Sequence, residues 1–240
     1  MKKTIISHFY NEQYLLPWWL THHLKYFDDG IMINYASNDS SVEIIKFYRP
    51  NWTIIDSKNE FFDATLIDKE VMEIEKTVTG WKACLNITEF LVGDYSVLND
   101  VEDQELKVPC FIMVDENPDV VPNYNFLKPL TKQKTYGIHY QGRDPLARRP
   151  RLIHNKHSVN YPLGRHYPDY DTEALKVCWY GWSPFNAQTI KRKTQIQNRI
   201  PNTDKIKGFG TQHFVNEQQL RKSYQTDYYP YIKDLSKEII

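Results

Sequence analysis

Trp81-Lys82-Ala83-Cys84-Leu85-Asn86-Ile87-Thr88-Glu89-Phe90-Leu91-Val92 decides how this chain is read. Its apolar run reads as a buried strand whose end carries a polar cluster, Asn86-Ile87-Thr88-Glu89-Phe90. A strand that is apolar on both faces belongs to a sheet covered on both sides. In parallel sheets of that kind, ligands bind beyond the carboxyl ends of the strands. The cluster at Asn86 is therefore the first place to look for chemistry, and Glu89 is its single carboxylate.

Upstream, strand and helix patterns alternate. Thr4 to Phe9 is β-rich, and Asn11 to Tyr26 has helical spacing with Leu15, Trp18, Trp19, His22 and Tyr26 on related faces. Gly30 opens a second strand, Ile31 to Asn34, and Ser37-Asn38-Asp39-Ser40 offers capping side chains to a helix through Val42, Ile44, Ile45 and Phe47. Pro50 stops that helix before a third strand, Trp52 to Ile55. A third helix, Asp63 to Lys76, has Leu66, Ile67, Val71, Met72 and Ile74 as its apolar face, and the fourth strand runs from Trp81 to Phe90. This order predicts an α/β fold with a mostly parallel sheet and helices on both faces. Its strand ends carry His8 to Glu12, Asn34 to Asp39, Ser57 to Glu60 and Asn86 to Glu89, four polar clusters expected to share one cleft.

The pattern loosens after Gly93. Residues 94–108 read as an acidic loop, Cys110 to Val114 as a short strand, and residues 115–135, with Pro118, Pro122 and Pro129, as irregular chain. Short β runs are expected at Tyr136–Tyr140, Arg151–His154, Val159–Tyr161 and Lys176–Trp182, then helices over Pro184–Asn198 and Asn216–Tyr224. Without an internal repeat or flexible linker, residues 1–240 read as one domain, with an irregular, β-containing second half.

Composition narrows the function classes. The 30 Lys+Arg balance the 30 Asp+Glu, which argues against nucleic acid or an anionic membrane as partner. The 17 Tyr and 6 Trp supply faces on which sugars and bases stack, and also ordinary core material. Cys84, Cys110 and Cys178 sit in apolar runs and read as buried thiols of a reducing compartment. With no signal-peptide core and no apolar run long enough for a membrane span, the expected location is cytoplasmic, and the sequons at Asn38, Asn51 and Asn86 read as chance.

Asn11-Glu12 after the first strand, the helix with Leu16, Trp19 and His23, Ser37-x-Asp39 after the second strand and the Trp81 to Phe90 strand together resemble the family-2-like glycosyltransferases of GT-A fold. The resemblance covers residues 4–92 and fades beyond them. It implies transfer of a sugar from a UDP- or GDP-type nucleotide-sugar to a hydroxyl of a glycan or other acceptor. Residues 1–92 would form the nucleotide-sugar half and residues 93–240 the acceptor side with C-terminal helices. It also implies cofactor contacts from Tyr10, Asn11, Glu12, Asn34, Asp39 and Asn86, and roles for Glu89 and His166 at the reacting region. Glu89 and His213 would be metal or diphosphate ligands.

The chain departs from that family where its acids should be. Asn34 stands at an acidic position, and Asn86-x-Thr88-Glu89 replaces Asp-x-Asp-Glu. A divalent ion on a diphosphate wants anionic oxygens, so the expectation is weak Mn²⁺ or Mg²⁺ binding, or no metal at all. Asp39 could equally cap a helix, His213 could belong to a surface loop and His166 could be structural. Arg143, Arg148, Arg149, Arg151 and Lys156 form one basic group and Lys191-Arg192-Lys193 another, either suited to a diphosphate. Asp144, Asp169, Asp171 and Glu173 are candidates for a general base, and Trp182 for an acceptor contact. Two alternatives remain beside the transferase: a catalytically silent nucleotide-sugar- or glycan-binding protein of the same fold, and a nucleic-acid-associated module using the Arg143 to Lys156 patch.

Overall fold

The computed structural model describes residues 1–123, 125, 127–139, 150–210 and 213–239. Its first half runs β1 (Lys3–Phe9), α1 (Leu16–His23), β2 (Asp29–Asn34), α2 (Ser41–Tyr48), β3 (Thr53–Asp56), α3 (Ala64–Glu75), β4 (Trp81–Cys84) and β5 (Glu89–Gly93). The second half adds β6 (Glu105–Val108), β7 (Cys110–Val114), α4 (Leu130–Gln133), β8 (Tyr136–Ile138), β9 (Arg151–His154) and β10 (Leu175–Trp182). It closes with α5 (Ala187–Gln195), α6 (Asn202–Ile206), α7 (Glu217–Ser223) and β11 (Lys233–Asp234).

One sheet has the strand order β3-β2-β1-β4-β9-β6. β1 pairs in parallel with β2 and β4, and β2 with β3, while β9 and β6 add an antiparallel margin. Side chains alternate across this sheet. Ile5 and Met32 pack with Trp19, Leu20 and Ile45 of α1 and α2, whereas Ile6, Ile33 and Cys84 pack with Val71 of α3. The expected α/β class, with helices on both faces of the parallel strands, is therefore present. Because the chain winds outward through β2 and β3 and returns past β1 to β4, the winding reverses between β1 and β4. Such a reversal opens a crevice at the carboxyl ends of those two strands.

The sequence reading needs correction in four places. Trp81 to Phe90 is not one strand: β4 ends at Cys84, residues 85–88 carry the chain across, and Glu89 opens β5 in the second sheet. Leu85, Ile87 and Phe90 are all buried, so no change of hydropathy marks the break. The helix expected from Asn11 begins at Leu16, because Asn11 has φ 52° and Pro17 occupies the first turn. α3 buries Asp68, Glu70, Val71 and Glu75 while Leu66 is exposed, each acid being held by partners outside the helix. Finally, the second half is less irregular than expected: it forms a sheet of order β11-β8-β7-β10-β5, antiparallel except for β7 with β10. Within the supposed acidic loop Glu105–Val108 is a strand, and residues 159–161 are not.

The two sheets share one apolar cluster that includes Ile5, Trp81, Phe90, Phe111 and Tyr180. Within it, the Trp19 indole of α1 donates to the Glu89 carbonyl at 2.9 Å, so a core side chain holds the first residue of β5. All three cysteines are buried free thiols. Among the described residues no helix is long and apolar enough to cross a membrane.

Candidate functional site

A cleft of about 370 Å³ lies at the reversal between β1 and β4. The exit of β1 contributes His8, Tyr10 and Glu12, and the link from β4 to β5 contributes Asn86, Ile87 and Thr88. Gly164-Arg165-His166, Trp179 and Trp182 of β10, and Arg192, Lys193 and Gln195 of α5 form further walls, with Phe62, His213 and Tyr228. α5 starts where Asn186 accepts from the Gln188 and Thr189 N–H groups. It is tied to the β1 exit by Gln195 Nε2, which donates to the Tyr10 and Asn11 carbonyls at 3.3 and 3.2 Å.

The floor is a closed network of two acids and two guanidiniums. Glu89 is fully buried, and its Oε1 accepts from Arg151 Nη2 at 2.6 Å, Arg151 Nε at 3.0 Å and Asn86 Nδ2 at 3.3 Å. Its Oε2 accepts from the Asn86 N–H at 2.9 Å. Arg151 Nη1 donates in turn to the Gly164 and Arg165 carbonyls at 2.6 and 3.0 Å. Arg165 Nη1 donates to Asp68 at 2.6 Å and its Nη2 to Asn86 Oδ1 at 3.3 Å. Two consecutive left-handed residues, Gly164 at φ 71° and Arg165 at φ 57°, turn the chain so that this side chain lies inward. Glycine adopts that conformation freely and arginine does not; Arg165 is held in it by Asp68, which also accepts from the Gly164 N–H at 2.7 Å.

Above the floor, polar atoms are left open. His8 Nδ1, Glu12 Oε2, Arg165 Nε, Trp182 Nε1 and Arg192 Nε are buried without a hydrogen-bond partner among the described residues, and all five side chains line this one cleft. Buried polar groups are nearly always paired, so such a convergence marks a place where a ligand or water completes the set. Burial raises the Glu12 carboxyl to about 7, with Arg192 opposing and Asp39 adding to the rise. The Arg192 guanidinium stands 3.7 Å from Glu12 Oε1. Burial pushes the His8 imidazole down to about 3, with the Arg165 charge next in weight, so His8 is neutral at ordinary pH. The Lys193 ammonium lies 3.8 Å from the Trp182 ring centroid, and Trp182 packs on Tyr228 at 4.5 Å.

The residues expected from the sequence divide into three groups. Tyr10, Glu12, Asn86, His166 and His213 line the cleft, together with Trp182, Arg192 and Lys193. Asn11, Asn34 and Asp39 do not. Asn11 exchanges hydrogen bonds with Asn38, Asn34 bonds Asp56 and the Ser37 N–H, and Asp39 accepts from the Gln13 and Ser41 N–H groups. The Ser57 to Glu60 loop folds instead around Glu70, which accepts from Ser57, Lys58 N–H and Asn59. Glu89 forms the third group, lying beneath the cleft with both oxygens engaged. Of the general-base candidates, Asp169, Asp171 and Glu173 are absent from its lining and Asp144 lies outside the described residues.

Arg143, Arg148 and Arg149 also lie outside the described residues. Arg151 is 1 % exposed in its pair with Glu89, so it belongs to no surface patch, and Lys156 pairs with Glu105. Sequence reasoning missed Arg165 and Asp68, which are 97 positions apart. The Gly164-Arg165 turn after Pro162 was the one available signal.

The metal implied by the family resemblance can be tested against these donors. Asn86 and Thr88 are neutral, Asn86 Oδ1 already accepts from Arg165, and Glu89 is saturated by Arg151 and Asn86. Among the described residues no group of three or more His, Cys, Asp or Glu is placed to hold an ion. The residues at this strand end do not fit a divalent-cation centre; two guanidiniums stand there instead.

The fold and site define an α/β protein with a polar cleft at the switch point of its parallel strands. No family model matches the chain, and no curated protein does. Among solved structures it is similar to the crystal structure of S. aureus TarS, at 15% identity and TM-score 0.36 over 65% of this chain and 28% of that one. It is similar also to S. aureus TarS 1-349 in complex with UDP-GlcNAc, at 16% identity and TM-score 0.35 over 65% of this chain and 45% of that one. For the complex with UDP the figures are 16%, 0.34, 65% and 47%. The chain thus spans less than half the length of these structures, and a likeness this distant carries no argument about activity.

Proposed function

We propose that the chain is a nucleotide-sugar glycosyltransferase of GT-A-like architecture whose donor lies in the cleft between β1 and β4. The observation that carries this reading is the pairing, in one cleft, of open N–H donors with the Glu12 carboxylate, one of whose oxygens is likewise open. The donors suit an anionic leaving group, and the carboxylate suits an acceptor hydroxyl. Tyr10, Trp179, Trp182 and Tyr228 give the cleft an aromatic wall suited to a base or sugar, with Lys193 and Tyr228 already against the Trp182 ring.

In this reading the acceptor oxygen forms a bond to the anomeric carbon while its proton passes to Glu12 Oε2. The bond from that carbon to the terminal phosphate oxygen breaks, and the electron pair leaves with the nucleoside diphosphate. A carboxyl near pH 7 is matched to that task, since it is partly ionised and still basic enough to take a proton. His166 and His213 stand at the cleft wall, where they contact donor or acceptor. The test is release of nucleoside diphosphate from a panel of UDP- and GDP-sugars by the purified chain, with Glu12→Gln beside it. Sugar-dependent release that Glu12→Gln removes supports the reading. Binding of a nucleotide-sugar without any turnover across a panel of acceptors would instead favour the silent binding protein, which the neutral Asn34, Asn86 and Thr88 also suit.

A further inference from the structure

The strand end that resembles a metal motif holds no set of anionic oxygens, and what surrounds it is rich in donors. Arg165 is 4 % exposed, is fixed on Asp68 and Asn86, and keeps its Nε–H open. Trp182, 5 % exposed, keeps its indole N–H open on the same cleft, and Arg192 keeps its Nε–H. An N–H group in a buried site without an acceptor is unfavourable, and three such groups on one cavity all ask for acceptor oxygens. A diphosphate supplies several oxygens with negative charge, and guanidinium groups match phosphate geometry. Arg165 sits beside Asn86, at the position where the family resemblance would place the cation.

We infer that this chain binds the diphosphate of its nucleotide ligand directly on Arg165, Arg192 and Trp182, with the Arg165 guanidinium in place of a divalent metal ion. The inference rests on the transferase reading for its ligand, and its test separates the two. Fixed cations relieve a site of the need to recruit an ion. They also set a rigid register, because Arg165 is held by Asp68 and by the left-handed turn at Gly164.

The experiment is calorimetric titration of UDP, GDP and inorganic pyrophosphate into the full chain, once in excess chelator and once with excess Mn²⁺ or Mg²⁺. The expected result is binding of a nucleoside diphosphate in chelator, with affinity unchanged by metal. Arg165→Lys, which keeps the charge but removes the planar fork, should weaken it roughly ten- to hundredfold. Trp182→Phe keeps a ring and loses only the N–H, and should weaken it about tenfold while melting like the parent, which covers the case in which Arg165→Lys fails to fold. Binding that disappears in chelator and returns with metal overturns the inference and leaves the transferase reading standing. Metal-free binding that both variants retain unchanged overturns the assignment to these residues. No binding of any nucleoside diphosphate in either condition overturns the inference and the transferase reading together.

Discussion

At the carboxyl ends of β1 and β2 the side chains of Asn11, Asn34 and Asp39 are taken up by hydrogen bonds within and between the strand-end loops, Asn11 donating to Asn38, Asn34 accepting from the Ser37 N–H and Asp39 from the Gln13 N–H. Between β1 and β4, by contrast, Glu12, Arg165 and Trp182 keep polar atoms buried and open. Both regions draw on polar residues that follow strands in the sequence. The first is a latch that stitches the loops after β1, β2 and β3 together, and the second is a cavity that asks for a ligand. Two glutamates repeat the contrast on a smaller scale: Glu89 is saturated by Arg151 and Asn86, whereas Glu12 has one contact to Arg192 and one oxygen in reserve. A polar residue at a strand end thus becomes informative only once its partners have been counted.

The contrast can be broken most sharply at Glu12. Glu12→Gln should lower turnover by roughly 10²- to 10⁴-fold, the usual contribution of a general base. Its folded-state value is raised from 4.5 to about 7, so ionising it is harder in the fold than in the unfolded chain. The resulting penalty is absent below pH 4.5, grows as the pH rises to 7 and is complete above that, reaching about 3 kcal/mol. Urea unfolding of the parent should therefore show stability lost across this window, and Glu12→Gln should flatten the loss. Parent turnover should climb through about pH 7 with the same group. A pH-independent rate would remove Glu12 from the chemistry.

Next in size is Arg151→Ala, which leaves the Glu89 carboxylate buried and unpaired. Chemical denaturation should register a loss of about 3–5 kcal/mol. Replacing both partners, Arg151→Met with Glu89→Leu, should recover most of it, because the pair together is worth little over apolar groups of similar volume. If that double variant folds yet no longer binds a nucleoside diphosphate in chelator, Glu89 is more than floor. The smallest effect belongs to the latch. Asp39→Ala removes a carboxylate that accepts two backbone N–H bonds and should reduce stability by about 1–2 kcal/mol without altering nucleotide affinity. An affinity loss there would erase the distinction between the two regions.

The parallel strands were legible in the sequence because local rules produce them. Gly30 and Pro50 punctuate the elements, and Asp63 caps α3 with bonds to the Thr65 and Leu66 N–H groups. The cleft's place was legible too, since polar residues follow β1 and β4. What escaped is non-local. The break between β4 and β5 lies inside an apolar run, where both sheets demand the same residue types. The burial of the α3 acids has no local signal, because their partners, Arg165, Tyr35 and Tyr161, come from distant segments. Asn11 and Asp39 match the family pattern in type and spacing, but sequence cannot say whether an amide or carboxylate will turn toward a ligand or toward its own loop.

The indole of Trp19 has a consequence for how mutations in this protein will look. It lies wholly in the apolar core, yet its N–H holds the backbone of Glu89, which carries Arg151 and Asn86. A genetic screen scored on ligand binding would place Trp19 among the residues of the site, although it touches no ligand. A screen scored on solubility would place it in the core. Trp19→Phe, with the ring kept and the N–H removed, tells the two apart.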